Sequence, residues 1–163
     1  MASRSDQRSA YVDALYLLAR RELSERQLRG RLVEREHQRD EIDAAVDRLR
    51  EEGSVDDGRV ARAFARTALK VKGRGRLRIQ RELHALGISK DIAAEAIAET
   101  FGDVDERALI ARAIDKKLRG GRKIDSPAAY ARVYQYLMRQ GFSPAGVAAA
   151  LRKLRKSPRD PDV

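Results

Sequence analysis

The sequence predicts an all-α protein of three tandem three-helix repeats that form an elongated, curved array. The 163 residues are 42% apolar, 37% charged and only 5% aromatic. This balance is typical of helices packed through small apolar stripes rather than of sheets. Three sets of apolar positions also recur with steps of 51 and then 54 residues, and such a period indicates stacked copies of one structural unit. The matched positions are Leu28, Ile79 and Val133; Leu32, Leu83 and Leu137; and Val46, Ile97 and Leu151.

The repeat register divides the chain into five segments. Each repeat holds three apolar runs with helical spacing. A glycine follows the second helix in two repeats, at Gly87 and Gly141, and Glu36 occupies the matching position in the first. Glycine is favoured there because helices commonly end in the left-handed conformation. The segments are a flexible N-terminus at 1–9, repeat 1 at 10–53, repeat 2 at 54–102, repeat 3 at 103–156, and a flexible C-terminus at 157–163.

Helix boundaries in repeat 1 follow from its apolar spacing and its capping residues. The first helix should turn Tyr11, Leu15 and Leu18 toward the core, because these residues share one helical face. The second helix should begin at Ser24, whose hydroxyl and the Gln27 side chain can form a capping box. The third helix should end at the glycine of the "EEGS" stretch.

Capping residues also place the helices of repeats 2 and 3. Repeat 2 should open at Asp56 or Asp57, and its third helix should begin after Ser89. In repeat 3, Ser126 and Ser143 are each followed by proline, which is favoured at the first position of a helix. No segment alternates between apolar and polar residues as an exposed strand would.

Positive charge is concentrated in the second and third repeats. The formal net charge is +10 for the chain, with −2 in residues 10–53, +4 in 54–102 and +8 in 103–156. Residues 58–81 contain nine basic residues and no acidic one, and 116–156 contain eleven basic residues and one acidic residue. Such a gradient indicates a surface that faces a polyanion. A solvated, arginine-rich surface without a partner is the alternative interpretation.

The candidate binding residues are the basic side chains of these two stretches. Lysine and arginine bind phosphates with release of counterions, and arginine also pairs with the carboxylates of acidic protein surfaces. Arg78 and Arg81 should project from the side of their helix opposite the core, and Tyr136 could stack on a base. The candidates are Lys70, Lys72, Arg74, Arg76, Arg78, Arg81, Lys116, Lys117, Arg119, Arg122, Lys123, Arg152 and Lys153.

Catalytic, cofactor and metal sites are not predicted. The chain has no cysteine, which excludes disulfides and thiolate metal sites. His37 and His84 lack metal-ligand partners at helical spacing, and the Asp56-Asp57 pair is better explained as a helix cap than as a metal site. The stretch "KGRGR" matches neither the phosphate loop nor the dinucleotide fingerprint. The run "ALYLL" is far shorter than the roughly 18 apolar residues of a membrane span, so we expect a soluble cytoplasmic protein.

Four stretches resemble the RecX regulatory family and stand in the family's order. They are "ALYLLARRELSERQLRGRLVER", "LREEGSVDDGRVARAFAR", "GRGRLRIQRELHALGIS" and "YLMRQGFSPAGVAAAL". The most specific features are the Asp-Asp turn, the late Gly-Phe-Ser, and one run formed by Gly75, Ile79, Glu82, Leu83, Gly87 and Ile88. The resemblance covers nearly all of residues 10–155. The sequence departs from the family in the turn at 34–40, where a glycine is usual, and in "RGGRK" at 119–123.

The resemblance implies three tandem three-helix repeats and a regulatory role in homologous recombination, DNA repair and the SOS response. Members bind the groove of the RecA recombinase filament, and DNA, and typically inhibit the ATPase and strand exchange of RecA. On this interpretation the basic repeats approach DNA or acidic RecA surfaces, and the nearly neutral first repeat docks through protein contacts. A monomer without cofactors is expected. The alternative is an autonomous, basic, helical DNA-binding protein or transcriptional regulator.

Overall fold

The computed structural model describes residues 8–156, which contain nine α-helices and no strand. The tandem helical architecture predicted from the sequence is therefore confirmed, and each predicted repeat range holds three helices. The segments predicted to be flexible, 1–9 and 157–163, lie outside the described residues except for residues 8 and 9. The helices are, in chain order, α1 (Ala10–Arg20), α2 (Glu25–Glu34), α3 (Arg39–Glu51), α4 (Asp57–Lys70), α5 (Arg76–Ala85), α6 (Lys90–Phe101), α7 (Glu106–Lys117), α8 (Pro127–Gln140) and α9 (Pro144–Lys156).

The chain divides into two compact units, each with its own apolar core. The first unit comprises the residues up to Phe64 together with Leu83–Ala96, and the second comprises Ala65–Glu82 together with the residues from Ile97 onward. The core of the first unit contains Ala14, Leu23, Leu28, Leu32, Ile42, Val46, Leu49 and Val55. The core of the second unit contains Ile110, Ile114, Val133, Leu137, Phe142, Val147 and Leu151.

The positions matched by the repeat register are buried in all three copies. Burial of apolar side chains is the main favourable term in folding, so equivalent buried positions indicate equivalent packing. The buried residues are Leu28, Ile79 and Val133; Leu32, Leu83 and Leu137; and Val46, Ile97 and Leu151.

The inward face of α1 is as predicted at Tyr11 and Leu18, which pack against the core, but differs at Leu15. Leu15 is 38% exposed, whereas Asp13 and Ala14 are buried. Asp13 is tolerated inside because Nε2 of His37 lies 2.8 Å from its carboxylate and Arg35 donates to that carboxylate at 3.1 Å. A buried charge needs such partners. The prediction of an inward Leu15 was therefore wrong, since the buried face of α1 includes Asp13, whose partner His37 is 24 positions away in the sequence.

Each repeat ends its second helix with a residue in the left-handed conformation. The φ angles are +65° at Glu36, +84° at Gly87 and +89° at Gly141. In each case the next amide donates to the carbonyl of an equivalent leucine, from His37 to Leu32, Ile88 to Leu83, and Phe142 to Leu137. Glu36 therefore occupies the position that glycine fills in the other repeats, as the register predicted.

Replacing Glu36 by glycine should raise the free energy of unfolding by about 0.5–1 kcal/mol, because a side chain in the left-handed region is strained while glycine is not. Urea denaturation would measure the change. Glu95→Gly is the matched control, since Glu95 is exposed within helix α6 and glycine there should cost about 1 kcal/mol. Equal losses in the two variants would contradict strain at Glu36.

A candidate polyanion-binding cleft

The glycines between α4 and α5 have local structural roles. Gly73 has a φ of +62°, and its amide donates to the carbonyl of Leu69 at 3.0 Å. This left-handed turn ends α4. Gly75 then allows the start of α5 to approach another helix closely. The stretch "KGRGR" is thus a helix-ending turn followed by a close backbone contact.

The N-terminus of α5 contacts the C-terminus of α8. The amide of Gly75 donates to the carbonyl of Gln140 at 2.8 Å, and the amide of Leu77 donates to the carbonyl of Gly141 at 3.0 Å. These bonds satisfy amides that the first turn of a helix leaves without intrahelical partners. A Cβ atom on Gly75 would lie 2.3 Å from the carbonyl oxygen of Gly141, and one on Gly141 would lie 2.3 Å from the amide nitrogen of Arg78. Both positions therefore require glycine.

The first unit contains the equivalent junction one repeat earlier. The hydroxyl of Ser24, at the N-terminus of α2, donates to the carbonyl of Leu86 at the end of α5. Ser24 and Leu86 are the repeat equivalents of Gly75 and Gln140, by the steps of 51 and 54 residues. The contact between the start of one helix and the end of another is therefore a repeated feature of the fold. The donor is the Ser24 hydroxyl in the first unit and the Gly75 backbone amide in the second.

Beside the α5–α8 junction the second unit has a cleft of about 540 Å³, which we call the basic cleft. It lies between the end of α4, the α4–α5 loop, α5, α7 and α8. None of the described residues that line it is acidic. Its uncharged lining includes Leu69, Val71, Leu109, Tyr136 and Gln140. Its cationic lining consists of Lys70, Lys72, Arg74, Arg78, Arg112 and Lys116.

Two of the six cations are held by an intramolecular carboxylate. Glu82 accepts hydrogen bonds from both Arg74 and Arg78, the latter at 3.0 Å. Arg78 also donates to the carbonyl of Arg139 at 3.4 Å. The side chain of Arg78 therefore lies against α8 and does not project freely as predicted, whereas Arg81 is exposed. The ion pairs fix the geometry of these arginines and offset part of their charge.

The remaining cations of the basic cleft face solvent. Lys70, Lys72, Arg112 and Lys116 are all exposed. They come from α4, the α4–α5 loop and α7, so folding brings them together from positions up to 46 residues apart. This arrangement provides four cations for an external anion, with Arg74 and Arg78 already oriented beside them.

The other predicted residues fall into three groups. Arg76 is structural, since its guanidinium lies 4.6 Å from the centre of the Phe101 ring and donates to the Phe101 carbonyl at 3.2 Å. A second cleft of about 550 Å³ is lined by Lys117, Arg122 and Lys123 together with Arg132 and Asp125. Exposed residues outside both clefts are Arg81, Arg119, Arg152 and Lys153.

Sequence reasoning missed Arg112 and Gln140. Arg112 lies between the two basic stretches, so a count of local charge does not single it out. Its spacing of four residues from Lys116 was the available signal, because residues at i and i+4 share a helix face. Tyr136, considered as a stacking residue, does line the basic cleft, and Nζ of Lys117 lies 4.9 Å from the centre of its ring.

Asp56 and Asp57 have structural roles. Asp56 caps α4 by accepting from the amide of Arg59 at 2.9 Å. Asp57 accepts from the amide of Glu25 at 2.8 Å, and burial raises the pKa of the Asp57 carboxyl above its usual value. Among the described residues, no group of three or more histidine, aspartate or glutamate residues could hold a metal ion. In the same part of the chain, no helix is long and apolar enough to cross a membrane.

Comparisons with known proteins identify relatives across the length of the fold. Models of the first, second and third three-helix domains of RecX match residues 10–49, 56–97 and 105–151. The regulatory protein RecX of Halorhodospira halophila is 34% identical over 137 residues, which cover 84% of this chain and 83% of that protein. The regulatory protein RecX of Geobacillus kaustophilus is 36% identical over 145 residues, or 88% of this chain. The chain spans only about half (53%) of the Geobacillus protein's length.

Two solved structures share the fold. The crystal structure of RecX from Lactobacillus salivarius superposes with a TM-score of 0.74 at 19% identity, covering 90% of this chain and 94% of that one. A second crystal structure of a regulatory protein RecX gives a TM-score of 0.76 at 20% identity, covering 88% and 70% of the two chains. At this level of identity the similarity concerns the fold alone.

Proposed function

The chain belongs to the RecX family, and from this premise we propose that it is a non-catalytic regulator that binds the RecA filament and DNA. Binding inhibits the ATPase and strand exchange of RecA during recombinational repair and the SOS response. The protein acts as a monomer in the cytoplasm, where RecA and its DNA are found, and it needs no cofactor. The observation that supports a polyanion partner most strongly is the basic cleft, where six cationic residues and no acidic one are found among the described residues that line it.

The basic cleft suits a nucleic-acid backbone. Lys70, Lys72 and Lys116 are exposed, so their ammonium groups can each approach a phosphate and release a counterion. Tyr136 and Gln140 lie among these cations, where an aromatic ring and an amide can contact bases of a single strand. Contacts of this kind carry little sequence information, as expected for a protein that acts on filaments assembled on any sequence.

An autonomous, sequence-specific DNA-binding protein is less well supported. If repeat 2 acted as a helix-turn-helix unit, α6 would be its recognition helix. However, α6 exposes the carboxylates of Asp91, Glu95 and Glu99, which repel the phosphates that flank a DNA groove. The described residues therefore favour backbone recognition in the basic cleft over base reading by α6.

The test is a titration of the protein into RecA filaments on single-stranded DNA. The rate of ATP hydrolysis and the filament length would be measured at about 50 and 200 mM salt. We expect both quantities to fall as the protein is added, with weaker inhibition at the higher salt concentration. Unchanged hydrolysis at saturating protein, together with tight binding to one duplex sequence in the absence of RecA, would contradict the proposal and support the transcriptional regulator.

Glu82→Gln should tighten binding to a single-stranded thymidine oligonucleotide about fivefold. The substitution removes a negative charge beside the basic cleft. At roughly 8 Å from a bound phosphate and an effective dielectric constant near 40, that charge repels the phosphate by about 1 kcal/mol. The amide also releases Arg74 and Arg78 from strong ion pairs. Fluorescence anisotropy would measure the affinity, with Glu95→Gln as a control on α6. Weaker binding by Glu82→Gln than by wild type would show that positioning of the arginines outweighs the added charge.

A further inference from the structure

Helix α1 is apolar on both of its faces. Asp13 and Arg20 are its only charged residues, and Asp13 is buried against His37. The inner face packs on α2 and α3. The outer face is a stripe with spacing i, i+3, i+4 and i+7, formed by Val12, Leu15, Tyr16 and Ala19. Because a helix that is apolar all round is normally buried all round, the exposed stripe indicates a missing partner.

The charges around this stripe specify the chemistry of the partner. The guanidinium of Arg8 lies 4.6 Å from the centre of the Tyr16 ring, within the stripe. At the C-terminal end of α1, Arg20 and Arg21 are exposed. The next residue, Glu22, is paired with Arg59. The stripe is therefore an apolar surface with one arginine against its tyrosine and two more at its C-terminal end, and it complements apolar side chains that are accompanied by carboxylates.

A second copy of this chain does not fit the stripe. In either a parallel or an antiparallel pair of α1 helices centred on the stripe, the Arg8 guanidinium beside Tyr16 would approach the same group of the other copy. Either arrangement opposes like charges, which costs free energy. Residues 1–7 do not fit either, since Met1 is their only apolar side chain larger than alanine.

We propose that the outer face of α1 is a docking surface for an apolar, acidic segment of a RecA protomer. This inference rests on the proposed function and adds to it a division of labour between two surfaces. The stripe on α1 in the first unit contacts protein, and the basic cleft in the second unit contacts DNA. Loss of the stripe should therefore reduce binding to the filament without reducing binding to DNA alone.

The variant Leu15→Gln with Tyr16→Gln tests this separation in the full chain, because it removes apolar surface without changing charge. Val33→Gln is the matched control, since Val33 is 63% exposed in the same unit but lies on α2. Binding would be measured to RecA filaments on single-stranded DNA and to that DNA alone, with circular dichroism to verify folding. We expect the double variant to bind filaments at least tenfold more weakly and to bind DNA within twofold of wild type.

A second variant tests the acidic character of the partner. Arg20→Ala with Arg21→Ala should weaken filament binding at low salt and reduce its salt dependence, again with DNA binding unchanged. Filament affinity within twofold of wild type for the Leu15 and Tyr16 variant would overturn the inference and leave the proposed function standing. Absence of filament binding by the wild-type chain would overturn the proposed function itself.

Discussion

Replacing Gly141 by alanine is expected to lower the free energy of unfolding by about 4 kcal/mol. Two effects add at this position. The φ of +89° is strained for any residue with a Cβ, at about 1–2 kcal/mol. The new Cβ would also lie 2.3 Å from the amide nitrogen of Arg78, so α5 and α8 must separate and lose the hydrogen bonds of the α5–α8 junction, each contributing about 1 kcal/mol.

Gly120 and Gly75 separate these two effects. Gly120 has a φ of +85°, but no atom lies within 4 Å of the place that a Cβ would occupy there. Gly120→Ala should therefore cost only the conformational strain of about 1 kcal/mol. Gly75 has no positive φ, but a Cβ there would lie 2.3 Å from the carbonyl oxygen of Gly141. Gly75→Ala therefore measures the effect of the clash without the conformational strain. Urea denaturation of the three variants would measure the difference, and equal losses at Gly141 and Gly120 would contradict the close contact between α5 and α8.

The second large effect is expected for DNA binding by the triple variant Lys70→Ala, Lys72→Ala and Lys116→Ala. Each lysine is exposed and lines the basic cleft. The loss of three phosphate contacts should weaken binding to a single-stranded oligonucleotide by roughly tenfold or more, and should lower the slope of log affinity against log salt by about 2. Anisotropy titrations at several salt concentrations would measure both quantities.

A control with the same charge change distinguishes the basic cleft from net charge alone. Arg39, Lys90 and Arg107 are exposed and lie outside both clefts, and their triple alanine variant should retain most of the affinity. Similar losses in the two triple variants would show that binding follows net charge. Arg74, Arg76 and Arg78 are poor choices for this test, because each makes intramolecular contacts and its loss also perturbs the fold.

The helical repeats could be predicted because their packing is local and periodic. Leu32, Leu83 and Leu137 recur at the repeat spacing and are all fully buried. Ser24 and Gln27 are three residues apart, and they form the capping box that this spacing predicts. The exposure of Leu15 and the burial of Asp13 on α1 could not be predicted. Apolar residues surround that helix, so periodicity does not select a single face, and the Asp13–His37 contact is between residues distant in sequence.

The candidate site could be predicted only as a region. Composition identified the basic stretches but not which cations are free, because ion pairing depends on tertiary geometry. The pair of Arg78 and Glu82 has helical i, i+4 spacing and was visible in the sequence. Arg74 lies in a loop, where no fixed spacing predicts its contact with Glu82. Arg112 joins the basic cleft only because α7 packs beside the α5–α8 junction.

We propose that the basic cleft is the surface through which this protein regulates RecA. The most direct measurement is the inhibition of RecA's DNA-dependent ATPase by wild type, by the Lys70, Lys72 and Lys116 variant, and by the Arg39, Lys90 and Arg107 control. All three proteins would be titrated at about 50 and 200 mM salt. We predict that the cleft variant needs at least tenfold more protein for half-inhibition and shows a smaller effect of salt, while the control follows wild type. Half-inhibition by the cleft variant at the wild-type concentration would contradict the claim.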